Sequence, residues 1–234
     1  MSAKFVRLAI ALVLVGTVAA CSPADADKED ASVEPGPPPV SAQAAGAGWS
    51  AVHADGANSD FTSQPGARAL EPAWSRTFDG NINLGPTSTP DGLVYVTTNS
   101  GPGCHLHVLE LETGETRWCS DEVDRFASIS GVLLDDEGIA YLADGEAMHA
   151  FAPDGSVLWE TPLVGVPLSA QMTPAGRVLA VTHLGQIVVL DRTTGEPVLE
   201  PVELIPGATF DSVVGVGACA RGLEACPSAN TVAV

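Results

Sequence analysis

Short apolar runs, each broken by a glycine or an Asp/Thr-Gly pair, repeat along most of the chain. The stretch from Gly92 to Thr98 (GLVYVTT) is followed by His105 to Glu110 (HLHVLE) and Thr113 to Trp118 (TGETRW). The same order returns in Gly138 to Asp144 (GIAYLAD), Ala147 to Ala152 (AMHAFA) and Asp154 to Trp159 (DGSVLW). It returns again in Gly176 to Thr182 (GRVLAVT), Gln186 to Asp191 (QIVVLD) and Thr194 to Leu199 (TGEPVL). Runs of this length between turn signals read as β-strands, and the Thr-Gly or Asp-Gly pairs supply the positive φ of tight hairpins. A further short strand is expected ahead of each unit, around Ile82–Ser88, Ser128–Leu134 and Leu168–Thr173.

The turn glycines Gly114, Gly155 and Gly195 are 41 and 40 residues apart. Four residues after each stands a large apolar side chain: Trp118, Trp159 and Leu199. Four strands in about 40 residues is the period of a β-propeller blade. The predicted fold is therefore all-β: four-stranded antiparallel blades, about three of them complete. The closing tryptophans are expected to supply contact area between blades. A β-sandwich with unrelated turns does not account for the regular glycine-to-tryptophan spacing. No helical stretch is expected beyond the N-terminus.

That N-terminus differs from everything after it. Lys4 and Arg7 precede an uncharged apolar run, Leu8 to Ala20, of 13 residues. Such a run is too short to span a bilayer of about 30 Å as a helix, and it has the layout of an export signal. It ends in Val18, Ala19, Ala20 and Cys21, which resembles a lipobox, so residues 1–20 read as a lipoprotein signal peptide and Cys21 as the acylated new N-terminus. Two or more acyl chains would hold stably, since each buried methylene contributes about 0.8 kcal/mol. The expected location is extracytoplasmic, on the outer side of a bacterial membrane. Residues 21–48 are acidic and proline-rich, with almost no large apolar side chain, and read as a disordered tether. The propeller is placed at 49–234.

Charge narrows the partners. The chain carries 10 basic and 29 acidic residues, net −19. Loss of Lys4 and Arg7 with the signal leaves 8 basic residues against 29 acidic, about −21. No basic patch exists, which argues against nucleic-acid binding and against adhesion to anionic lipid. Of five cysteines, Cys21 is assigned to lipid. The other four suit an oxidising compartment. Cys104 and Cys119 lie at the outer ends of an apparent hairpin, and Cys219 and Cys226 could close a short loop; other pairings stay open. Zinc spacings are absent.

The pattern G-x-V-Y-V, L-x-x-L-D, T-G-x-x-x-W resembles the pyrroloquinoline-quinone-type (PQQ) β-propeller repeat over roughly residues 49 to 234. Trp49, His53, Asp55 and Asn58 resemble the opening stretch of such domains. Ala73 to Phe78 resembles the closing strand of a blade whose other strands come from elsewhere. The resemblance implies either a quinone-dependent dehydrogenase or a non-enzymatic scaffold, such as the propeller lipoprotein that assists outer-membrane protein assembly. Quinone-binding relatives use an adjacent-cysteine disulfide, an arginine and calcium held by Glu, Asn and Asp. No adjacent cysteines occur here, so the fold carries over and the cofactor does not. Such propellers have six to eight blades, and Asn230 to Val234 stops in mid-pattern, so a longer propeller is expected.

Single residues are read conservatively. His105 and His107 point to one strand face, but His107 aligns with His149 and Val188 and reads as a repeat position rather than a metal ligand. Asp135, Asp136 and Glu137 lack the ligand spacing of a calcium loop and read as a solvated turn. Ser128 and Ser130 sit in no nucleophile motif. No catalytic constellation stands out. The expected role is non-catalytic binding of a protein or peptide; a quinone dehydrogenase or its remnant and a glycan-binding surface protein are the alternatives.

Overall fold

The computed structural model describes residues 45–56, 59–62, 65–66, 68–99, 101–205 and 227–228. Cys21, Asn58, Cys219, Cys226 and the strands expected after Thr209 lie outside the described residues.

Among the described residues, twelve strands form three four-stranded antiparallel sheets, each a simple meander. Blade one is β1 (Thr87–Ser88), β2 (Leu93–Thr97), β3 (Leu106–Glu110) and β4 (Thr116–Ser120). Blade two is β5 (Leu133–Leu134), β6 (Ala140–Ala143), β7 (Ala147–Phe151) and β8 (Val157–Pro162). Blade three is β9 (Pro167–Met172), β10 (Arg177–Thr182), β11 (Gln186–Asp191) and β12 (Val202–Glu203). The propeller reading and its three blades hold. The first strands are shorter than expected in blades one and two. The sequence around Ser128 forms a single 3-10 turn, Arg125–Ile129, capped by the Asp124 side chain.

The core lies between the sheets. Middle strands are buried on both faces, so their side chains alternate between neighbouring blades rather than between core and water. Ala140 and Leu142 pack with Tyr95, Leu106 and Val108 of blade one. Tyr141 and Ala143, on the opposite face of β6, pack with Met172, Val178 and Val188 of blade three. The other face of blade one, Val94, Val96 and Leu109, is covered by Trp74 and Phe78. The segment 73–78 belongs to no ladder among the described residues, although a strand was expected there.

Residues 45–56 join the three sheets at their first strands. The Trp49 carbonyl accepts from Ser88 N–H and the Ser50 carbonyl from Leu134 N–H, both at 2.8 Å. The Gly56 carbonyl accepts from Met172 N–H at 3.0 Å. Ala45 bridges to Asp135, so residues 45–48, expected in the tether, are already held by the fold. Gly131 pairs in parallel with Ser169, which brings the first strands of blades two and three side by side. No described helix is long and apolar enough to cross a membrane.

Candidate functional site

Each blade docks on the next through one device. A Cβ at Gly114, Gly155 or Gly195 would lie 2.6, 2.8 and 2.6 Å from the rings of Trp74, Trp118 and Trp159 respectively. All three glycines also have positive φ, at 70, 90 and 73°. Glycine is required twice over: for the hairpin turn and for the ring that lies on it. The indole N–H groups donate to the carbonyls of Leu111 (2.7 Å), Pro153 (3.0 Å) and Arg192 (3.0 Å) in the receiving turns. Arg76 and Thr161, each two residues after its tryptophan, add donors to the Gly114 and Gly195 carbonyls. Leu199 departs from the pattern. The ladder of blade three breaks between Pro197, which bridges Leu190, and β12, and Leu199 in that break is 65% exposed.

The opposite ends of the blades carry the polar chemistry. Between blades one and two a cleft of about 470 Å³ is lined by Gly103, His105, Asp121, Glu122, Asp124, Asp144, Glu146, His149 and Glu160, with Val123 and Ala147. Its residues come from the β2–β3 connection, the long connection 121–132, the β6–β7 turn, and β7 and β8. Six carboxylates and two histidines face this space, and among the described residues no lysine or arginine lines it.

Asp144 organises the floor. Its carboxylate accepts from Glu146 N–H and Ala147 N–H at 2.9 Å, Asp124 N–H at 3.1 Å, and His149 Nε2 at 3.1 Å. Burial pushes its pKa up, but the His149 bond and the three backbone donors outweigh it and bring the carboxyl down to about 2. Asp124 caps the 3-10 turn at Phe126 N–H and also accepts from Gly145 N–H. The ionised Asp144 carboxylate takes this bond from the His149 ring at Nε2. The other ring nitrogen, Nδ1, is buried and has no hydrogen-bond partner among the described residues.

The remaining sequence candidates are structural. His105 Nδ1 and His107 Nε2 both bond to Thr98, at 3.2 Å, and His107 packs on Phe78. Burial, first, lowers the His107 pKa. Ser128 Oγ donates to the Arg125 carbonyl and accepts from Asn83, and Ser130 Oγ accepts from Ala143 N–H. Asp135 is not solvated as the turn reading held. Its side chain is fully buried, accepts from Tyr141 Oη at 2.8 Å, and meets Arg192 of blade three at 3.3 Å. Burial and this carboxylate push the Tyr141 pKa far up. Cys104 and Cys119 form a disulfide across the β3–β4 hairpin.

Sequence comparison gives the repeat its relatives. Residues 62–202 match the family described as outer membrane protein assembly factor BamB, built from PQQ-like repeats. The chain belongs to this family. Among similar proteins, Protein Rv3035 of Mycobacterium tuberculosis is 32% identical over 184 residues, 78% of this chain. The chain spans only 44% of that relative's length. Two solved structures are similar at lower identity. BamB from Moraxella catarrhalis is 22% identical with a TM-score of 0.37, covering 48% of this chain and 33% of that one. A quinohemoprotein alcohol dehydrogenase from Pseudomonas putida is 18% identical with a TM-score of 0.44, covering 56% of this chain and 22% of that one.

Family membership raises the question of quinone. This PQQ-like repeat protein has no adjacent cysteines, and Cys104 is spent on Cys119. Among the described residues no group of three or more His, Cys, Asp or Glu side chains could hold a metal. The described residues therefore do not fit the calcium-assisted quinone site that the repeat brings to mind. The acidic cleft escaped the sequence reading because its parts lie in four segments between residues 103 and 160. The run Asp121, Glu122, Asp124 in an unusually long inter-blade connection was the one local signal.

Proposed function

We propose that this PQQ-like repeat protein is a lipid-anchored, extracytoplasmic binding module for a protein or peptide partner. Cys21 carries the lipid and the segment after it tethers the propeller. One observation supports the binding role above the others. Among the described residues, the polar recess between blades one and two is an open cleft whose central Asp144–His149 pair is committed to hydrogen bonds of the fold rather than set beside a nucleophile. An open polar recess of this kind can receive a partner's surface group.

The anchor is tested by Cys21→Ala, which should abolish acyl labelling and membrane sedimentation while leaving thermal unfolding unchanged. Retention on the membrane would sink it. The binding role is tested by photo-crosslinking residues placed at Asp121 and Glu146, with Glu112 on the opposite face as control. A defined adduct from the first two alone supports the module. PQQ- and calcium-dependent oxidation of alcohols or sugars would overturn it in favour of a dehydrogenase.

A further inference from the structure

The interface between blades one and two holds a second recess, at the hairpin end and apart from the acidic cleft. We infer that this recess takes up the arginine side chain of a partner protein. The inference goes beyond the binding module proposed above and does not depend on the cleft.

The neighbouring interface supplies the template. Trp159 donates to the Arg192 carbonyl and Trp118 to the Pro153 carbonyl, so Arg192 and Pro153 hold the same place in successive blades. From that place the Arg192 guanidinium reaches the first turn of blade two, 2.7 Å from Asp136, 3.3 Å from Asp135 and 3.7 Å from Glu137. Tyr141 completes the group by donating to Asp135. In blade one Tyr95 is the counterpart of Tyr141, each standing three residues after its turn glycine, Gly92 or Gly138. Asp91 is likewise the counterpart of Glu137. A proline stands where the arginine would be, and Pro153, Tyr95 and Asp91 line a recess of about 400 Å³.

Two further observations ask for a ligand there. Tyr95 is 1% exposed and its ring meets Trp118 edge-on, but its hydroxyl makes no hydrogen bond among the described residues. Unlike Nδ1 of His149 or the hydroxyls of Ser50 and Thr87, it is not sealed from solvent, and Tyr95 forms part of the recess wall. A desolvated hydroxyl without a partner carries a cost that a ligand group recovers. The second observation is charge. Asp91 is exposed at the mouth, Asp136 and Glu137 face the same space, and among the described residues no lysine or arginine lines it. Burial first, and the nearby Asp91 carboxylate second, push the Tyr95 hydroxyl up to about 12. A guanidinium answers both needs, since it donates to a carboxylate and to a hydroxyl oxygen from one rigid plane. Leu93, Leu134 and Pro153 offer its methylene stem an apolar wall.

The test is an NMR titration of the full-length protein in detergent, isotope-labelled at the tyrosine Cζ. The chain has two tyrosines, so Tyr95→Phe assigns the signals by loss. The probes are Nα-acetyl-arginine methylamide and its neutral isostere, Nα-acetyl-citrulline methylamide. The expected result is a saturable shift of the Tyr95 signal with the arginine probe and binding about tenfold weaker with the citrulline probe. Asp91→Asn should weaken arginine binding about fivefold, and Glu146→Gln, at the other end of the interface, less than about twofold. Pro153→Arg should fill the recess from within. Its thermal unfolding should match the parent, its Tyr95 signal should start displaced toward the arginine-bound position, and the probe should no longer move it. An unmoved Tyr95 signal in the parent would overturn the inference, as would an undiminished response in folded Pro153→Arg. Equal affinity for citrulline would overturn the cationic assignment. Equal weakening by Asp91→Asn and Glu146→Gln would reduce the effect to bulk charge and overturn it too. Each of these outcomes leaves the binding-module reading standing, which PQQ-dependent turnover by the same sample would remove instead.

Discussion

Blade two meets a neighbour on each side, and the two interfaces are alike at one end and different at the other. At the hairpin end both are closed by a tryptophan lying on a glycine, Trp118 on Gly155 and Trp159 on Gly195. At the far end, residues 121–132 connect β4 to β5, whereas residues 163–166 suffice between β8 and β9. The short connection is tied down: Thr182 Oγ1 donates to the Val164 carbonyl, Val164 N–H to Gln186, and Val166 N–H to His183. The long one folds into a 3-10 turn over Val123 and Ala127 and leaves its acidic start, Asp121 and Glu122, at the edge of an open cleft. The repeat thus supplies a fixed dock, and the connector decides whether the other end becomes core or site. Function on such folds is added where the repeat is free to vary.

The comparison is broken most directly at the docks. Trp159 is buried and its interface also carries the Asp135–Arg192 contact. Trp159→Ala should cost about 3–5 kcal/mol, as for other buried aromatic truncations. Trp118 is less buried and its interface is open at the far end, so Trp118→Ala should cost about 2 kcal/mol by lost apolar contact. Urea unfolding of both variants decides it. Equal losses would mean that the dock alone sets interface strength and the closed far end adds nothing.

Next comes the covalent clip. Cys104 and Cys119 are 15 residues apart in sequence and join β4 to the segment before β3, at the cleft end of blade one. A closed loop of this size is worth about 3 kcal/mol in the chain-entropy view, and strand pairing already restrains it, so Cys104→Ser with Cys119→Ser should cost roughly 2–3 kcal/mol. Hydrogen exchange should localise the loss to blade one. Uniform loosening of all three blades would show that the sheets unfold as one unit and that the two interfaces cannot be weighed separately.

Much of this was legible in the residues. The glycine-to-tryptophan interval gave the blade count, and the meander order follows from hairpin spacing. What the spacing could not give was depth. Asp135 and Asp144 look like ordinary turn residues. Their carboxylates are buried because antiparallel register returns Tyr141 and His149 over them, six and five residues later. Leu199 occupies the tryptophan position in sequence, yet Pro197 interrupts the donor ladder and the strand resumes only at Val202. Neither outcome is local, so no run of neighbours announces it.

Acid sharpens the comparison further. The folded pKa of Asp144 is depressed, to about 2 from an ordinary 3.8, so its contribution is present above the unfolded value and lost as pH falls from about 4 to about 2. After allowance for screening at the cleft mouth the loss should be roughly 1–2 kcal/mol. Asp144→Asn should flatten stability across that window. An unchanged acid limb would mean that the His149 bond contributes no net stability.

The smallest effect is the most diagnostic of site against scaffold. Glu146 and Glu160 are exposed and make no side-chain bond that the fold depends on, while both add to the crowding of negative charge in the cleft. Glu146→Gln with Glu160→Gln should therefore change stability by no more than about 0.5 kcal/mol, and relief of repulsion should make the change favourable at low salt. If thermal unfolding instead showed a marked loss, the rim carboxylates would be part of the architecture, and the far end of this interface would be core like its counterpart in blade three.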